Sequence, residues 1–172
     1  MEKALPVFWR HGFADTSLQQ LEQATGVNKS GLYAEFDGKE DLFLESLRYY
    51  LAELDKSEVL TAQPLGWPNV ERFLRLEPGY SDGRTGCFCV NSMRDLSILP
   101  PQAAELVARH MAKLKHLIAR NIEAERPSMD AASLADMVLT FFTGLNMERN
   151  LEQRRPAVSK KIRRFMDVIR SL

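Results

Sequence analysis

Residues 15–33 read DTSLQQLEQATGVNKSGLY, and this stretch decides the fold of the N-terminal part of the chain. Thr16 followed three residues later by Gln19 fits a capping box, which predicts that a helix begins here. Gly26 can adopt the left-handed conformation that ends a helix, and Asn28 is a favoured N-cap for the next one. The pattern is helix, tight turn, helix, which is the layout of a DNA-binding helix-turn-helix.

The second helix of this pair would present its polar N-terminal end to DNA, with Val27 filling the turn before it. Lys29 can bind a phosphate or a guanine, and Tyr33 can bind a phosphate or stack on a sugar. Lys39, at the start of the following helix, can bind the neighbouring DNA backbone. Helix pairs of this kind also occur in bundles that bind no DNA, so the hairpin alone does not settle its function. The predicted DNA-binding residues are Thr16, Ser17, Asn28, Lys29, Ser30, Gly31, Tyr33 and Lys39.

The rest of the chain is helical by its hydrophobic pattern. Apolar residues recur three and four apart along most of the sequence, and no period-two strand pattern occurs. Glycine and proline residues divide the chain into three short helices followed by about five or six longer ones. The first longer helix is predicted over residues 39–60, and the last two over about 132–151 and 157–172. The predicted fold class is all-α.

Composition limits the function classes. The 172 residues have a formal net charge of zero, and residues 1–50 hold five basic and eight acidic side chains, a net charge of −3. A DNA-binding domain is usually basic, so this balance argues against DNA binding.

There is no apolar run of the ~20 residues that span a bilayer and no signal-peptide pattern, so we expect a soluble, cytoplasmic protein that does not bind a membrane. No catalytic, cofactor or metal motif occurs, so we expect neither an enzyme nor a bound cofactor.

Residues at specific positions argue for DNA binding more strongly than the charge balance argues against it. The N-terminal sequence resembles the DNA-binding domain of the TetR/AcrR family of repressors over about residues 4–47. The segments that carry the resemblance are residues 8–17 (FWRHGFADTS), 26–30 (GVNKS) and 39–42 (KEDL), with Leu32, Tyr33 and Phe36. The resemblance implies a homodimer, a DNA operator with two half-sites, and release of the operator when a small molecule enters a larger C-terminal domain. We therefore predict a helix-turn-helix DNA-binding domain over 1–46 and a helical ligand-binding and dimerisation domain over 47–172.

Two features lower the expected strength of DNA binding. Gly31 occupies a position where the family often has Thr or Ser, so one contact is lost. The acidic balance of the first 50 residues indicates few phosphate contacts. Because each neutralised phosphate adds to the salt dependence, we expect modest affinity and a shallow salt slope.

The larger domain is rich in Phe and Met, which suits an adaptable apolar pocket as well as an ordinary core. Asn91 could supply a polar contact in such a pocket, although it could equally be a satisfied core amide. The predicted ligand-binding residues are Phe73, Cys87, Phe88, Asn91, Met111, Phe141 and Phe142. The wide apolar stripes of the last two helices resemble the family's dimerising pair, so these helices are the predicted homodimer contact.

Two alternatives remain open. Cys87 and Cys89 could make the protein a thiol- or metal-sensing repressor, although a Cys-x-Cys pair lacks the second ligand pair of a persuasive zinc site. Buried thiols are more often inert packing groups. Alternatively, the chain could be a helical adaptor that kept the fold and lost DNA binding, as its acidic N-terminal part suggests.

Overall fold

The computed structural model describes residues 1–55, 57–76, 86–149 and 155–172, without the side chains of residues 155–157. These residues contain helices and no strand, which confirms the all-α prediction. The α-helices are α1 (Leu5–His11), α2 (Leu18–Thr25), α3 (Lys29–Glu35), α4 (Lys39–Tyr49), α5 (Trp67–Arg75), α6 (Phe88–Ser92), α7 (Pro101–Ala124), α8 (Ala131–Arg149) and α9 (Arg155–Ile169).

The three short N-terminal helices occur as predicted, but the helix predicted over 39–60 is wrong in its second half. α4 passes into a π-helical segment, Tyr50–Leu54, and residues Ser57–Thr61 form a separate 3₁₀ helix. The carboxylate of Asp55 accepts hydrogen bonds from the backbone N–H of Ser57, at 3.1 Å, and from its hydroxyl. Such local side-chain bonds offer the backbone an alternative to the helix, which is why the helix does not continue.

The last two helices match their predicted positions within a few residues. α8 was expected over 132–151 and runs to Arg149, beyond which residues 150–154 lie outside the described part of the chain. α9 begins at Arg155 and ends at Ile169, where Arg170 N–H still bonds to the Met166 carbonyl at 3.2 Å.

The chain divides into two compact units. The first comprises Met1–Leu54 and the described residues of Gly79–Ala108, and the second comprises the described residues of Asp55–Pro78 and Arg109–Leu172. The first unit therefore contains α6 and the first residues of α7 as well as α1 to α4. The predicted boundary at residue 46 between a DNA-binding domain and a ligand-binding domain stays a prediction.

Aromatic side chains form the centre of the first unit. Phe8 and Phe43 meet edge to face with their ring centroids 5.1 Å apart, and Trp9 meets Tyr50 in the same way at 5.1 Å. Phe88 of α6 lies 5.5 Å from the Phe43 ring and is 1% exposed. Each edge-to-face pair contributes about 0.5–1.5 kcal/mol beyond its buried area. α6 is thus packed into the core that also holds α1 and α4.

Apolar residues of α5, α7, α8 and α9 form the core of the second unit, and two buried amides organise its polar part. Asn121 is fully buried; its side-chain oxygen accepts bonds from Gly66 N–H at 3.0 Å and from the Asn69 amide at 2.9 Å. Its amide donates to the carbonyls of Leu60 and Leu117 at 2.7 and 2.8 Å. Because a buried amide without partners is costly, these bonds fix the segment before α5 against α7.

A histidine in the second unit makes its stability dependent on pH. His110 is 7% exposed, and burial lowers its pKa from the ordinary value of 6.5, while Asp55 opposes this shift and Lys113 adds to it. The unfolded chain therefore binds a proton that the folded chain does not. We expect the unfolding free energy to fall as pH drops from 6.5 towards the lowered pKa, by up to about 1.4 kcal/mol per pH unit. Denaturant titrations at several pH values would measure this slope.

The same titrations on His110→Gln should show the slope reduced by this contribution. His116→Gln, which removes an exposed histidine from the same helix, is the matched control. A native pH dependence that survives in His110→Gln would assign it to another group.

Candidate nucleic-acid interface

α2 begins one residue later than the sequence suggested. Ser17 is its N-cap: the Ser17 hydroxyl accepts from Gln20 N–H at 3.2 Å, and the Gln20 side chain accepts from Ser17 N–H at 2.7 Å. The predicted capping box of Thr16 and Gln19 is therefore wrong, because the same motif one position along is the one that forms. Both pairs fit the Ser/Thr-x-x-Gln pattern, so sequence alone could not separate them.

Thr16 and Lys39 are engaged inside the first unit. Thr16 is 1% exposed, and its hydroxyl donates to the Gly12 carbonyl at 2.5 Å. The Lys39 ammonium donates to the carbonyls of Phe13 and Thr16 at 2.9 and 3.0 Å, and it lies 4.3 Å from the centre of the Phe13 ring. Both residues stay predicted DNA contacts, and the structure gives each an internal role that holds the turn between α1 and α2.

The turn between α2 and α3 has the predicted geometry at its glycine. Gly26 adopts φ 75° and ψ 10°, the left-handed conformation, and its N–H bonds to the Glu22 carbonyl at 2.9 Å. Val27, which is predicted to fill the turn, has a side chain that is 41% exposed. The Glu22 carboxylate accepts a hydrogen bond from the backbone N–H of Lys29 and so places a negative charge beside the start of α3.

α3 presents its polar residues to solvent. Asn28 is the N-cap as predicted, and its side chain accepts from Gly31 N–H at 2.9 Å. Lys29, Ser30 and Tyr33 are exposed, Tyr33 by 48%, and the Lys29 ammonium lies 5.7 Å from the Tyr33 ring centre. Leu32 points inward and is 5% exposed, so it anchors the helix to the unit.

Gly31 has a packing role that the sequence did not indicate. A Cβ built on Gly31 would lie 2.7 Å from Cγ1 of Val27. A side chain at position 31 therefore requires Val27 to move, and its absence lets the exposed valine lie against α3. The structure thus brings together Asn28, Lys29, Ser30, Gly31 and Tyr33 on one short helix, with Ser17 at the start of α2.

The predicted ligand-binding residues fall in both units. In the first, Cys87 and Asn91 are half-buried, and Phe88 belongs to the aromatic core. In the second, Phe73 stacks on Phe142 with centroids 4.7 Å apart. Also in the second unit, Phe141 stacks on Phe165 at 3.9 Å, and Met111 is half-buried. These contacts describe packing, and the binding of a ligand by these residues stays a prediction.

The two cysteines differ in their surroundings. Cys89 is fully buried, whereas Cys87 is half-buried and its sulfur lies 3.2 Å from the Tyr50 hydroxyl oxygen. Within the described residues, no group of three or more His, Cys, Asp or Glu side chains is arranged to hold a metal ion.

An apolar surface covers the outer side of α8 and α9 in the second unit. Met137 and Met147 are 42% and 44% exposed, and Val168 is 60% exposed. A Cβ built on the exposed Gly144 would have no neighbour within 4 Å, so another chain could approach α8 closely there. We call this surface the outer α8–α9 face; it comprises Met137, Thr140, Phe141, Gly144, Met147, Phe165 and Val168.

The ion pairs beside the outer α8–α9 face are exposed. Lys115 pairs with Asp136 at 2.7 Å, and Lys161 pairs with Glu148 at 2.5 Å. An apolar centre with polar neighbours is the usual layout of a protein–protein interface. No described helix is long and apolar enough to cross a membrane.

Residues 1–46 match the family model described as bacterial regulatory proteins, tetR family. The chain is 28% identical over 166 residues to the HTH-type transcriptional repressor ComR of Escherichia coli strain K12, covering 86% of this chain and 76% of ComR. The similarity to ComR therefore extends well beyond the helix-turn-helix.

Solved structures share the fold of this chain. The TetR family transcriptional regulator CifR, a cysteine mutant in complex with 26-base-pair operator DNA, is 25% identical and superposes with a TM-score of 0.78 over 96% of this chain and 92% of that one. The reduced form of Escherichia coli NemR is 15% identical, with a TM-score of 0.79 over 99% of this chain and 93% of NemR. At that level of identity, NemR supports the fold alone.

Proposed function

Because this chain belongs to the TetR family of bacterial regulatory proteins, we propose that it is a sequence-specific transcriptional repressor that binds duplex operator DNA with α2 and α3. The observation that carries the proposal is the exposed polar end of α3, which follows a left-handed Gly26 turn in the segment that the family model matches. TetR-family proteins are regulators rather than enzymes, and we propose no catalytic activity. The site of action would be the cytoplasm, where bacterial DNA lies.

The exposed residues of α3 can make different kinds of contact with DNA. Lys29 can neutralise a phosphate or donate to guanine O6 and N7, and Ser30 can bond to either kind of acceptor. Tyr33, one helical turn after Lys29, can donate to a phosphate or pack on a sugar. Ser17, at the start of α2, can approach the backbone of the neighbouring strand. Together these groups provide few positive charges, so affinity would depend on two protomers binding at once.

Selection of binding sequences from a random duplex pool would test this function directly. Fluorescence anisotropy on a selected duplex would then give the affinity, and repeating it between 50 and 200 mM salt would give the salt slope. We expect a slope smaller than that of ten neutralised phosphates. If no duplex binds better than random DNA at low salt, the chain is the helical adaptor and not a repressor.

The charge of Glu22 leads to a separate prediction. Its carboxylate lies at the start of α3, where it repels the DNA phosphates that approach this helix. Glu22→Gln keeps an oxygen that can accept the Lys29 N–H and removes the charge. At about 0.5 kcal/mol per protomer in a watery interface, we expect DNA affinity to rise about fivefold for a dimer, and the gain to shrink at high salt. Glu53→Gln, outside α1 to α4, is the charge-matched control, and an equal gain there would attribute the effect to net charge alone.

We further propose that the protein acts as a homodimer joined through the outer α8–α9 face. The exposed Met137, Met147 and Val168 support this, since a second copy of the same face would cover them. Two-fold symmetry places identical patches against each other, and Gly144 would let the two α8 helices approach closely.

We also propose that a small, largely apolar molecule releases the protein from DNA. Its candidate contacts are the predicted ligand-binding residues, taken one unit at a time. In the first unit Cys87 and Asn91 are half-buried and Phe88 is buried; in the second Met111 and Phe141 are half-buried, and Phe73 and Phe142 are buried. A molecule that binds the conformation unable to hold DNA more tightly would shift the population off the operator. Screening apolar compounds for a change in anisotropy of the DNA complex would identify its class.

The thiol-sensing alternative has one specific observation in its favour. Cys87 is half-buried and its sulfur contacts the Tyr50 hydroxyl, whose ring packs on Trp9 and Phe88. A change at this sulfur would therefore act on the core that holds α1 and α4. A peroxide could oxidise the thiolate by transferring its distal oxygen to sulfur, leaving an alcohol or water. DNA release by peroxide that is lost in Cys87→Ser and kept in Cys89→Ser would favour this alternative. The described residues offer no metal site to support the metal-sensing version.

A further inference from the structure

The turn between α1 and α2 is held by two residues that lie more than eighty positions away in the sequence. A 3₁₀ turn after α6, Met93–Asp95, supplies both of them. The Asp95 carboxylate is buried and accepts a hydrogen bond from the backbone N–H of Phe13 at 2.7 Å. The Arg94 guanidinium donates to the His11 carbonyl at 2.8 Å.

The turn and these two side chains fit each other closely. Gly12 adopts φ +79°, and a Cβ built on it would lie 1.9 Å from Nη2 of Arg94. The guanidinium thus occupies the space that a side chain at position 12 would need. Arg94 Nε also lies 3.7 Å from Asp95 Oδ2 and offsets part of the buried charge.

The same turn leads directly into the DNA-reading helices. Phe13 is followed within four residues by Ser17, the N-cap of α2, and α2 leads through Gly26 to α3. The Lys39 ammonium bonds to the Phe13 carbonyl, so the carbonyl and the N–H of this one residue are each held by a buried or half-buried charged side chain. The place where α2 starts is therefore fixed from two sides, by α4 and by the Met93–Asp95 turn.

We propose that Asp95 is a positioning residue for DNA recognition: by accepting the Phe13 N–H, its carboxylate sets the α1–α2 turn and with it the placement of α2 and α3. This role makes DNA recognition depend on a residue outside the 46 positions that the family model matches. An unmade hydrogen bond to a buried N–H is costly, so the turn would move to satisfy Phe13 elsewhere if the carboxylate were removed. The inference rests on the proposed DNA-binding function.

Two substitutions in this chain test whether the Asp95 side chain acts as a hydrogen-bond acceptor or only fills space. Asp95→Leu keeps the approximate size and removes the acceptor, and we expect operator affinity to fall at least about 30-fold. Asp95→Asn keeps an oxygen that can accept the Phe13 N–H, and we expect it to stay within about threefold of the native affinity. Anisotropy on the duplex selected by the native protein would measure both.

A loss of overall stability needs its own control. Asp130 caps α8 in the second unit by accepting from Ser133 N–H at 2.8 Å. Asp130→Ala should lower the thermal midpoint of unfolding and leave DNA affinity unchanged. If Asp95→Leu does not fold, Asp95→Ser replaces it, because a hydroxyl on Cβ is too short to reach Phe13 N–H and should also weaken binding.

Three results would overturn the positioning role. Native affinity in Asp95→Leu or Asp95→Ser would show that the acceptor is unnecessary. An equal loss in Asp95→Asn would show that the oxygen is not what matters. A matching loss of affinity in Asp130→Ala would reduce the effect to stability. If the native protein selects no duplex, the proposed function itself fails, and that result is distinguishable from all three.

Discussion

Replacing Lys29 and Tyr33 together with alanine should weaken binding to the selected duplex by at least about 100-fold. Both side chains are exposed on the first turns of α3, and Tyr33 is 48% exposed, so neither is needed for the core. At about 1 kcal/mol for each lost contact, two contacts in each of two protomers correspond to a loss well above that minimum. Anisotropy titrations at fixed salt would measure the change, and circular dichroism would confirm that the variant is folded.

The single variants show which kind of DNA contact each residue makes. Lys29→Ala is expected to weaken binding to every duplex and to lower the salt slope by about one for each protomer if the lysine binds phosphate. If Lys29 instead reads guanine, the loss is confined to duplexes that carry that base. Arg120→Ala removes an exposed positive charge from α7 in the second unit and serves as the control. A double variant that binds within threefold of the native protein would show that α3 is not the reading helix.

The features that the sequence predicted correctly are local ones. The left-handed Gly26 and the Asn28 cap follow from the conformational preferences of residues within a few positions of each other. The choice between Thr16 and Ser17 as the cap of α2 was decided by tertiary contacts instead. Thr16 is buried against Gly12, and its carbonyl accepts from Lys39, which leaves Ser17 as the exposed cap.

The features that the sequence missed depend on distant partners. Nothing around Asp95 indicates that its carboxylate bonds to Phe13, because the two residues are 82 positions apart. Lys39 looks like a phosphate ligand when only its place at a helix start is considered, and only the folded chain shows its ammonium on two carbonyls. One signal for Asp95 was available: an acidic residue three positions after an apolar helix requires a buried partner if the chain turns inward there.

For α8 and α9 too, the sequence pattern predicts the helices but not the residues that they contact. Its apolar stripes predicted two helices correctly, but wide stripes do not reveal which part is covered within one chain. The structure separates them: Val138, Phe142 and Ile162 are buried, while Met137 and Val168 are exposed. The exposed part is the one that a second protomer would cover, and it is therefore the part to change.

Introducing charge into the outer α8–α9 face should separate the proposed dimer and abolish useful DNA binding. In Met137→Glu/Val168→Glu, both residues are more than 40% exposed in one chain, so the folded monomer should tolerate the change. In a two-fold dimer the four new carboxylates would be desolvated and would repel one another, at a cost of several kcal/mol. We expect a monomer at micromolar concentration by sedimentation velocity, with DNA affinity lower by at least about 100-fold because a monomer binds only one half-site.

The control must add the same charge to an exposed apolar residue elsewhere. Ile98→Glu does so in the first unit, where the native side chain is 55% exposed. It should remain a dimer and bind the selected duplex like the native protein. If Met137→Glu/Val168→Glu stays dimeric, the interface lies on another surface. If it becomes monomeric and still binds DNA at native strength, α2 and α3 of one protomer are sufficient, and the dependence of affinity on dimerisation would be excluded.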